Sequence, residues 1–173
     1  MQNVLSVDIG LTGAISLLNG KGELLICEPM PTYEIVVNKK VKNQYDINAI
    51  YQLIRRIDAD YPITVLSMER LRPIPNQSSQ TGFSLGMGQA IFRTLAVVLG
   101  IESLEVEPHS WQKEMFKGIS YDKKTTKVAS VQAAKRMFPN FNFKVTERCK
   151  KDSPDMTDSA LIGAYTLLIT KRK

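Results

Sequence analysis

At 173 residues, with 43% apolar and 23% charged residues, the chain has the balance of a globular protein, expected to form one domain over residues 1–173 and too short for two full catalytic lobes. Lys and Arg outnumber Asp and Glu by 23 to 17, a formal charge of +6 that suits a polyanionic partner and equally suits plain solubility. Cys27 and Cys149 stand in no CxxC or Cys/His cluster, which argues against a zinc site or a disulfide framework and for two reduced thiols.

The opening Met1-Gln2-Asn3 leads into a short apolar run already interrupted by Asp8, unlike a signal peptide, and no apolar stretch is expected to reach the length of a membrane span. The expected compartment is the cytoplasm, with no membrane partner. Asn3 to Asp8, Ala14 to Leu18 and Glu23 to Cys27 alternate like a strand meander separated by glycine-bearing turns. Pro29, Pro31 and the polar stretch Asn38 to Gln44, with Lys39, Lys40 and Lys42, read as an exposed excursion.

From Asp46, read as the cap, the spacing of Ile47, Ile50, Leu53, Ile54 and Ile57 predicts an amphipathic helix. Ile63 to Met68 has the compact β-rich character of a buried strand and ends abruptly in Glu69-Arg70. Arg70 to Gln80 reads as a loop, and Phe83 to Leu99 as a helix stopped by Gly100. That helix is too apolar for half exposure, so it belongs either at the centre of the fold or in a subunit contact. Leu104 to Val106 adds a strand, Pro108 to Lys117 a short helix around Trp111, and Asp122 to Met137 a further helix. The last helix begins at Ser153-Pro154 and runs towards Ile169.

This order of strands and helices argues for an α/β domain with its site at strand ends. Asp8 is the one charge in a strand-like opening, where an unpaired carboxylate is costly to bury. Glu69 closes a second apolar strand. Asp155 and Asp158 lie three apart at a helix start and project from one face, where the helix dipole also favours negative charge. Taken singly, the helix-start acids and the strand-end glutamate have ordinary structural explanations; Asp8 is harder to explain away. Four carboxylates without His or Cys suit magnesium or manganese, and two such ions about 3.5 to 4 Å apart serve phosphodiester hydrolysis.

Asp8-Ile9-Gly10, Glu69 at its strand end and Asp155-Met156-Thr157-Asp158-Ser159-Ala160 together resemble the RuvC family of Holliday junction resolvases. Leu85-Gly86-Met87-Gly88-Gln89-Ala90 looks like that family's glycine-containing approach to its long central helix. The resemblance spans nearly the whole chain. It implies an RNase H-like fold, a central mixed five-stranded sheet flanked by helices, in a homodimer whose apolar 83–99 helix forms much of the subunit contact. It further implies two Mg2+ ions per site, with Mn2+ able to substitute, held by Asp8, Glu69, Asp155 and Asp158, and cleavage of four-way and other branched DNA.

By similarity in spacing around Gly118, basic catalytic residues fall on Lys113 and Lys124, with Lys123 a close competitor. Arg70, Arg72, Lys123, Lys150, Lys151 and Lys171 to Lys173 are candidates for phosphate contacts. Where some family members carry an aromatic wedge, this chain has Arg72, with Leu71, Ile74 or Phe83 as substitutes. Neither His109 nor Trp111 receives a chemical role. Two other classes compete: a junction-binding architectural protein that does not cut, and an actin-like sugar kinase, suggested by Asp8-Ile9-Gly10-Leu11-Thr12-Gly13 and opposed by the chain's length.

Overall fold

The structure, a computed structural model, describes residues 2–73 and 75–171. Its first strand, β1 (Val4–Asp8), sets the pattern for the rest. Successive side chains leave opposite faces of a sheet, so Leu5 and Val7 enter one apolar cluster while Val4 enters another. Ser6 and Asp8 share the Val4 side. β2 (Ala14–Leu18) pairs antiparallel with β1, and β3 (Leu24–Pro29) antiparallel with β2.

The expected excursion at residues 38–44 is instead half of a hairpin: β4 (Thr32–Val37) pairs with β5 (Lys40–Tyr45) in a separate two-stranded sheet. Its turn residues Asn38 and Lys39 both have positive φ, 50° and 62°, as a two-residue turn that follows strand twist requires. Asn accepts that backbone readily and Lys does not, so no Asn-Gly or Asp-Gly pair marked the turn. Tyr33, Val36 and Val41 of this hairpin are exposed, while Tyr45 at its end packs into the core.

Helix α1 (Ile47–Asp60) follows, its amide at Ala49 donating to the Asp46 carboxylate at 2.9 Å as the cap reading required. Ile50, Leu53, Ile54 and Ile57 are buried, whereas Ile47 is exposed. β6 (Val65–Glu69) then runs parallel to β1. Next, α2 (Ser79–Leu99) starts before the predicted Phe83 because the Ser78 hydroxyl caps it, accepting from the Thr81 amide at 3.1 Å. The segment Leu85 to Ala90 therefore lies inside the helix.

By length and composition this 21-residue helix is apolar enough to cross a membrane, contrary to the expectation for the sequence. Its Ile91, Phe92, Leu95 and Ala96 nevertheless pack in the core, and its Arg93 pairs with Glu105. Phe83, Met87, Val97 and Val98 remain exposed, so half exposure is what the fold contains.

β7 (Glu102–Val106) lies parallel to β6, completing a mixed sheet of order β3-β2-β1-β6-β7. The helices α3 (Pro108–Met115), α4 (Thr126–Met137) and α5 (Pro154–Thr170) complete the chain. The mixed five-stranded sheet flanked by helices is the expected one. Helices α1 and α2 cover one face, packing on Leu5, Val7, Ile15, Leu17, Leu66 and Met68. Helices α3, α4 and α5 cover the other, with Trp111, Phe116, Phe143 and Leu161 at its core.

Under α5 the sheet is small and polar. Ser6 Oγ donates to the Ser159 carbonyl at 2.7 Å, Ser16 Oγ meets Ser159 Oγ at 2.6 Å, and Ser67 Oγ meets Thr166 Oγ1 at 2.6 Å. Gly163 lies so close that an added Cβ would stand 2.4 Å from Leu18 Cδ1 and 2.5 Å from Ser6 Oγ. Hydrogen-bonded hydroxyls avoid the cost of buried orphan groups, and they fix where α5 sits on β1.

Candidate active site

Asp8 ends β1 and Glu69 ends the adjacent parallel strand β6, whose register pairs Val7 with Met68. Alternation turns both carboxylates to the α5 face: two positions before them, Ser6 and Ser67 bond to that helix. At the helix start, Ser153 Oγ accepts from the Met156 amide at 3.3 Å and Pro154 takes the first turn. Asp155 and Asp158 thus hang from the first turns of α5 over the ends of β1 and β6, beside a helix N-terminus that favours anions.

The crowding is visible in proton affinities. Burial, reinforced by the charges of Asp158, Asp155 and Glu69, holds the Asp8 carboxyl well above the usual range, with Lys127 opposing. Asp158 is pushed up to about 7, chiefly by burial, with a Ser130 hydrogen bond pulling down and Asp155 and Glu69 pushing up. Glu69 is raised by burial and partly offset by the Trp111 indole N–H, which donates to its Oε2 at 2.8 Å. The Ser130 hydroxyl donates to Asp158 and also meets Thr157 Oγ1 at 2.9 Å. Lys127 Nζ stands 3.8 Å from Asp155 Oδ1.

Four mutually repelling carboxylates facing one ammonium form a site that gains from added positive charge. Their all-oxygen chemistry fits a hard divalent ion such as Mg2+ or Mn2+. Among the described residues no three His, Cys, Asp or Glu side chains already converge on one ligating point. Glu69 and Asp158 are instead turned to their own donors, Trp111 and Ser130.

The lysine that the fold brings to these acids is Lys127, on the first turn of α4. Lys113, in the last turn of α3, is exposed, as are Lys123 and Lys124 in the turn preceding α4. None of the three forms an ion pair with the four acids among the described residues. Their turn is ordered by Asp122, whose Oδ1 accepts from the amides of Lys124 and Thr125, each at 2.9 Å. Lys127, Lys150 and Lys151 edge a shallow groove beside the start of α5.

Arg70 and Arg72 each reach Glu107 Oε1 at 2.9 Å, and Arg70 also approaches Glu105 at 3.5 Å, so both are already paired. Of the wedge substitutes, Leu71 packs partly buried against the α1/α2 core and Phe83 is exposed. Ile74, Arg172 and Lys173 lie outside the described residues. His109 is exposed; Trp111 is buried, and a buried indole N–H needs an acceptor, which was the available signal for its contact with Glu69. The signal for Ser130 was weaker, one serine among the alanines of α4.

The chain therefore has the RNase H-like architecture, with acids at two parallel strand ends and a helix start. No protein-family model matches the sequence, and no curated protein does. Among solved structures, the fold is shared with Thermus thermophilus RuvC bound to a Holliday junction substrate: TM-score 0.61 at 8% identity, covering 99% of this chain and 96% of that one. A second Thermus thermophilus RuvC structure gives 0.59 at 11%, covering 99% and 97%. The yeast mitochondrial Holliday junction resolvase Ydc2 gives 0.53 at 15%, covering 96% and 78%.

Proposed function

We propose that residues 1–173 act as one metal-dependent nuclease domain that cuts branched DNA and resolves four-way junctions. The observation that carries this reading is the placement of Asp8, Glu69, Asp155 and Asp158 at two parallel strand ends and one helix start on one side of the sheet, with the Asp8 and Asp158 carboxyls raised above the usual range. The similarity in fold to proteins named as Holliday junction resolvases supports the substrate class.

When bound, two Mg2+ ions, or Mn2+ in their place, would activate a water and stabilise the leaving 3′ oxygen, giving 5′-phosphate products. Asp8, Glu69, Asp155 and Asp158 would hold the ions. Trp111 and Ser130 orient two of these carboxylates. Lys127, with Lys113 and Lys124 as further candidates, supplies positive charge to the scissile phosphate. Lys123, Lys150, Lys151, Arg70 and Arg72 contribute salt-sensitive backbone contacts, the arginines by exchanging their glutamate partners for phosphate.

A homodimer completes the proposal. On α2 the exposed Met87, Ala90, Thr94, Val97 and Val98 recur at helical spacing, a small and apolar stripe that a second copy would cover. Two-fold symmetry would then present two sites to a four-way junction.

The test is cleavage of a labelled four-way junction beside linear duplex and a three-way fork, with Mg2+ or EDTA, by wild type and Asp8→Asn. Paired nicking of the four-way junction that needs Mg2+ and is lost in the variant, with junction binding kept, is expected. Binding without cleavage by the wild type would instead support an architectural role.

A further inference from the structure

The lysines of the β4–β5 hairpin have no part in the site described above, and the hairpin stands apart from the main sheet. β4 and β5 form a two-stranded sheet of their own and have their main contacts with each other. Two strands alone are marginally stable in water, and the root of this pair is tied down. Tyr45 is buried in the core, the Asp46 amide donates to the Pro31 carbonyl at 3.0 Å, and Lys42 Nζ donates to Gln80 Oε1 on α2 at 3.1 Å. The outer half carries no such ties. Val36, Val37 and Val41 are exposed, and the side chains of Lys39 and Lys40 have no hydrogen bond or ion pair among the described residues.

Between Thr32 and Tyr45 the charged side chains are Lys39, Lys40, Lys42 and Glu34, so the hairpin is cationic, and most so at its tip. Register places Lys40 opposite Val37 and Lys42 opposite Ile35, so these two lysines leave one face of the ribbon, while Lys39 occupies the turn. Lysines on open strands also deter edge-to-edge pairing, which Lys40 and Lys42 can do and a turn residue cannot. Lys39 holds a φ of 62°, a backbone that glycine takes without steric cost and lysine does not. At an exposed turn under that penalty, what a lysine adds is its charge.

The root of the hairpin borders the acids: the end of β5, the first turns of α2, Asp8 and Asp155 line one cleft. From Tyr45 back to Lys40, β5 spans about 17 Å at roughly 3.4 Å per residue. That length matches about five base pairs of duplex. We propose that the β4–β5 hairpin is an arm that grips duplex DNA, with Lys39 and Lys40 on backbone phosphates about five base pairs from the cleaved bond. The proposal rests on the nuclease reading and adds to it a contact region separate from the carboxylates and from the lysines around α4 and α5. A two-stranded ribbon is narrow enough to lie along a DNA groove, where the exposed Val36 and Val41, paired across the ribbon, gain cover from the sugars.

The cleavage position on a labelled four-way junction is mapped with Mg2+, and junction binding is then measured in EDTA over a series of salt concentrations. The variant carries Lys39→Gly and Lys40→Thr. Asn followed by glycine is the pair that such a two-residue turn prefers, and threonine favours strands, so the hairpin keeps its fold. Loss of two phosphate contacts is expected to lower the slope of log affinity against log salt by about 1.8, and Lys40→Thr alone, which leaves the turn untouched, by about 0.9. Lys21→Gln removes a charge from the β2–β3 turn, at the opposite end of the sheet from Asp8, and is expected to leave the slope as it is. Uncharged methylphosphonate linkages about four to six nucleotides from the cleaved bond should weaken binding by the wild type and not by the double variant. An unchanged slope, an equal fall with Lys21→Gln, or linkages that weaken both proteins alike overturns the proposal while leaving the nuclease reading in place. Full junction binding by a double variant that self-associates in sedimentation would assign the lysines to guarding open strand edges and likewise overturn it. A wild type that neither binds nor cuts branched DNA removes the nuclease reading and this proposal together.

Discussion

The two faces of the central sheet solve different problems. Under α1 and α2, Leu5, Val7, Ile15, Leu17, Leu66 and Met68 meet Ile50, Ile54, Ile57 and Phe92, an apolar contact that needs only volume and pattern. Under α5, the strands present Ser6, Ser16 and Ser67 to Ser159, Gly163 and Thr166, a contact that works in one register only, because each hydroxyl must find its partner. The oily face supplies stability, and the hydroxyl face supplies position. The carboxylates sit where position is supplied: Asp8 continues the Ser6 row and Glu69 the Ser67 row.

The largest expected effect that would test this division is at Asp8. Asp8→Asn keeps shape and removes one charge from the crowded cluster, so cutting should fall about a thousandfold or more. Without metal the same variant should be more heat-stable than the wild type at pH 8, because a buried and repelled carboxylate has been neutralised. Melting curves in EDTA beside nicking rates check both halves; a variant that melts lower would mean that Asp8 is held by something other than repelling neighbours. On the opposite face, Ile54→Ala removes a fully buried side chain and should cost about 2–5 kcal/mol in denaturant unfolding. Its cleavage rate, measured well below the melting temperature, should stay within a few-fold of wild type. A large loss of cleavage without loss of stability would end the division between the faces.

The same division governs what the sequence disclosed. The oily face was legible because isoleucines at helical spacing and alternating strands announce themselves, and Asp8 was legible as a charge inside such a strand. The hydroxyl face was not: serine at alternate strand positions looks like the solvated side of a sheet, and only the placement of α5 converts it to core. The Asn38-Lys39 turn was hidden because a lysine sits where glycine is usual. Lys127 could not be singled out from Lys123 and Lys124, since all three fall within the one helix predicted from Asp122, and the turn at Asp122 decides which ammonium reaches the acids.

A smaller effect appears in the pH dependence of stability. Asp158 moves from 3.8 to about 7 on folding, so between those values the folded protein holds a proton that the unfolded chain has released. Metal-free stability should therefore fall as pH rises from about 4 to about 7. Asp8, raised in the same direction, adds to the slope. Cations that bind the ionised cluster reverse the loss, so 10 mM Mg2+, on the order of a saturating level, should raise the melting temperature more at pH 8 than at pH 5. An equal rise at both values would place the ion away from these carboxylates.

The smallest and most specific test concerns how position reaches the metal ligands. Trp111 fills the α3/α5 side of the core, meeting Phe116 edge-on at 5.6 Å, and its indole N–H holds Glu69. Trp111→Phe keeps an aromatic ring there and deletes the donor. Because the hydrogen bond favours the ionised carboxylate, its loss should raise the Glu69 pKa further. Apparent Mg2+ affinity in the nicking assay should then weaken by about 10- to 100-fold, the usual range for an outer partner of a ligand. At saturating Mg2+ the rate should largely recover, which a general packing defect would not allow, and the metal dependence should shift towards higher pH. Failure to recover at any Mg2+ concentration would mean that the indole acts through the core and not through Glu69.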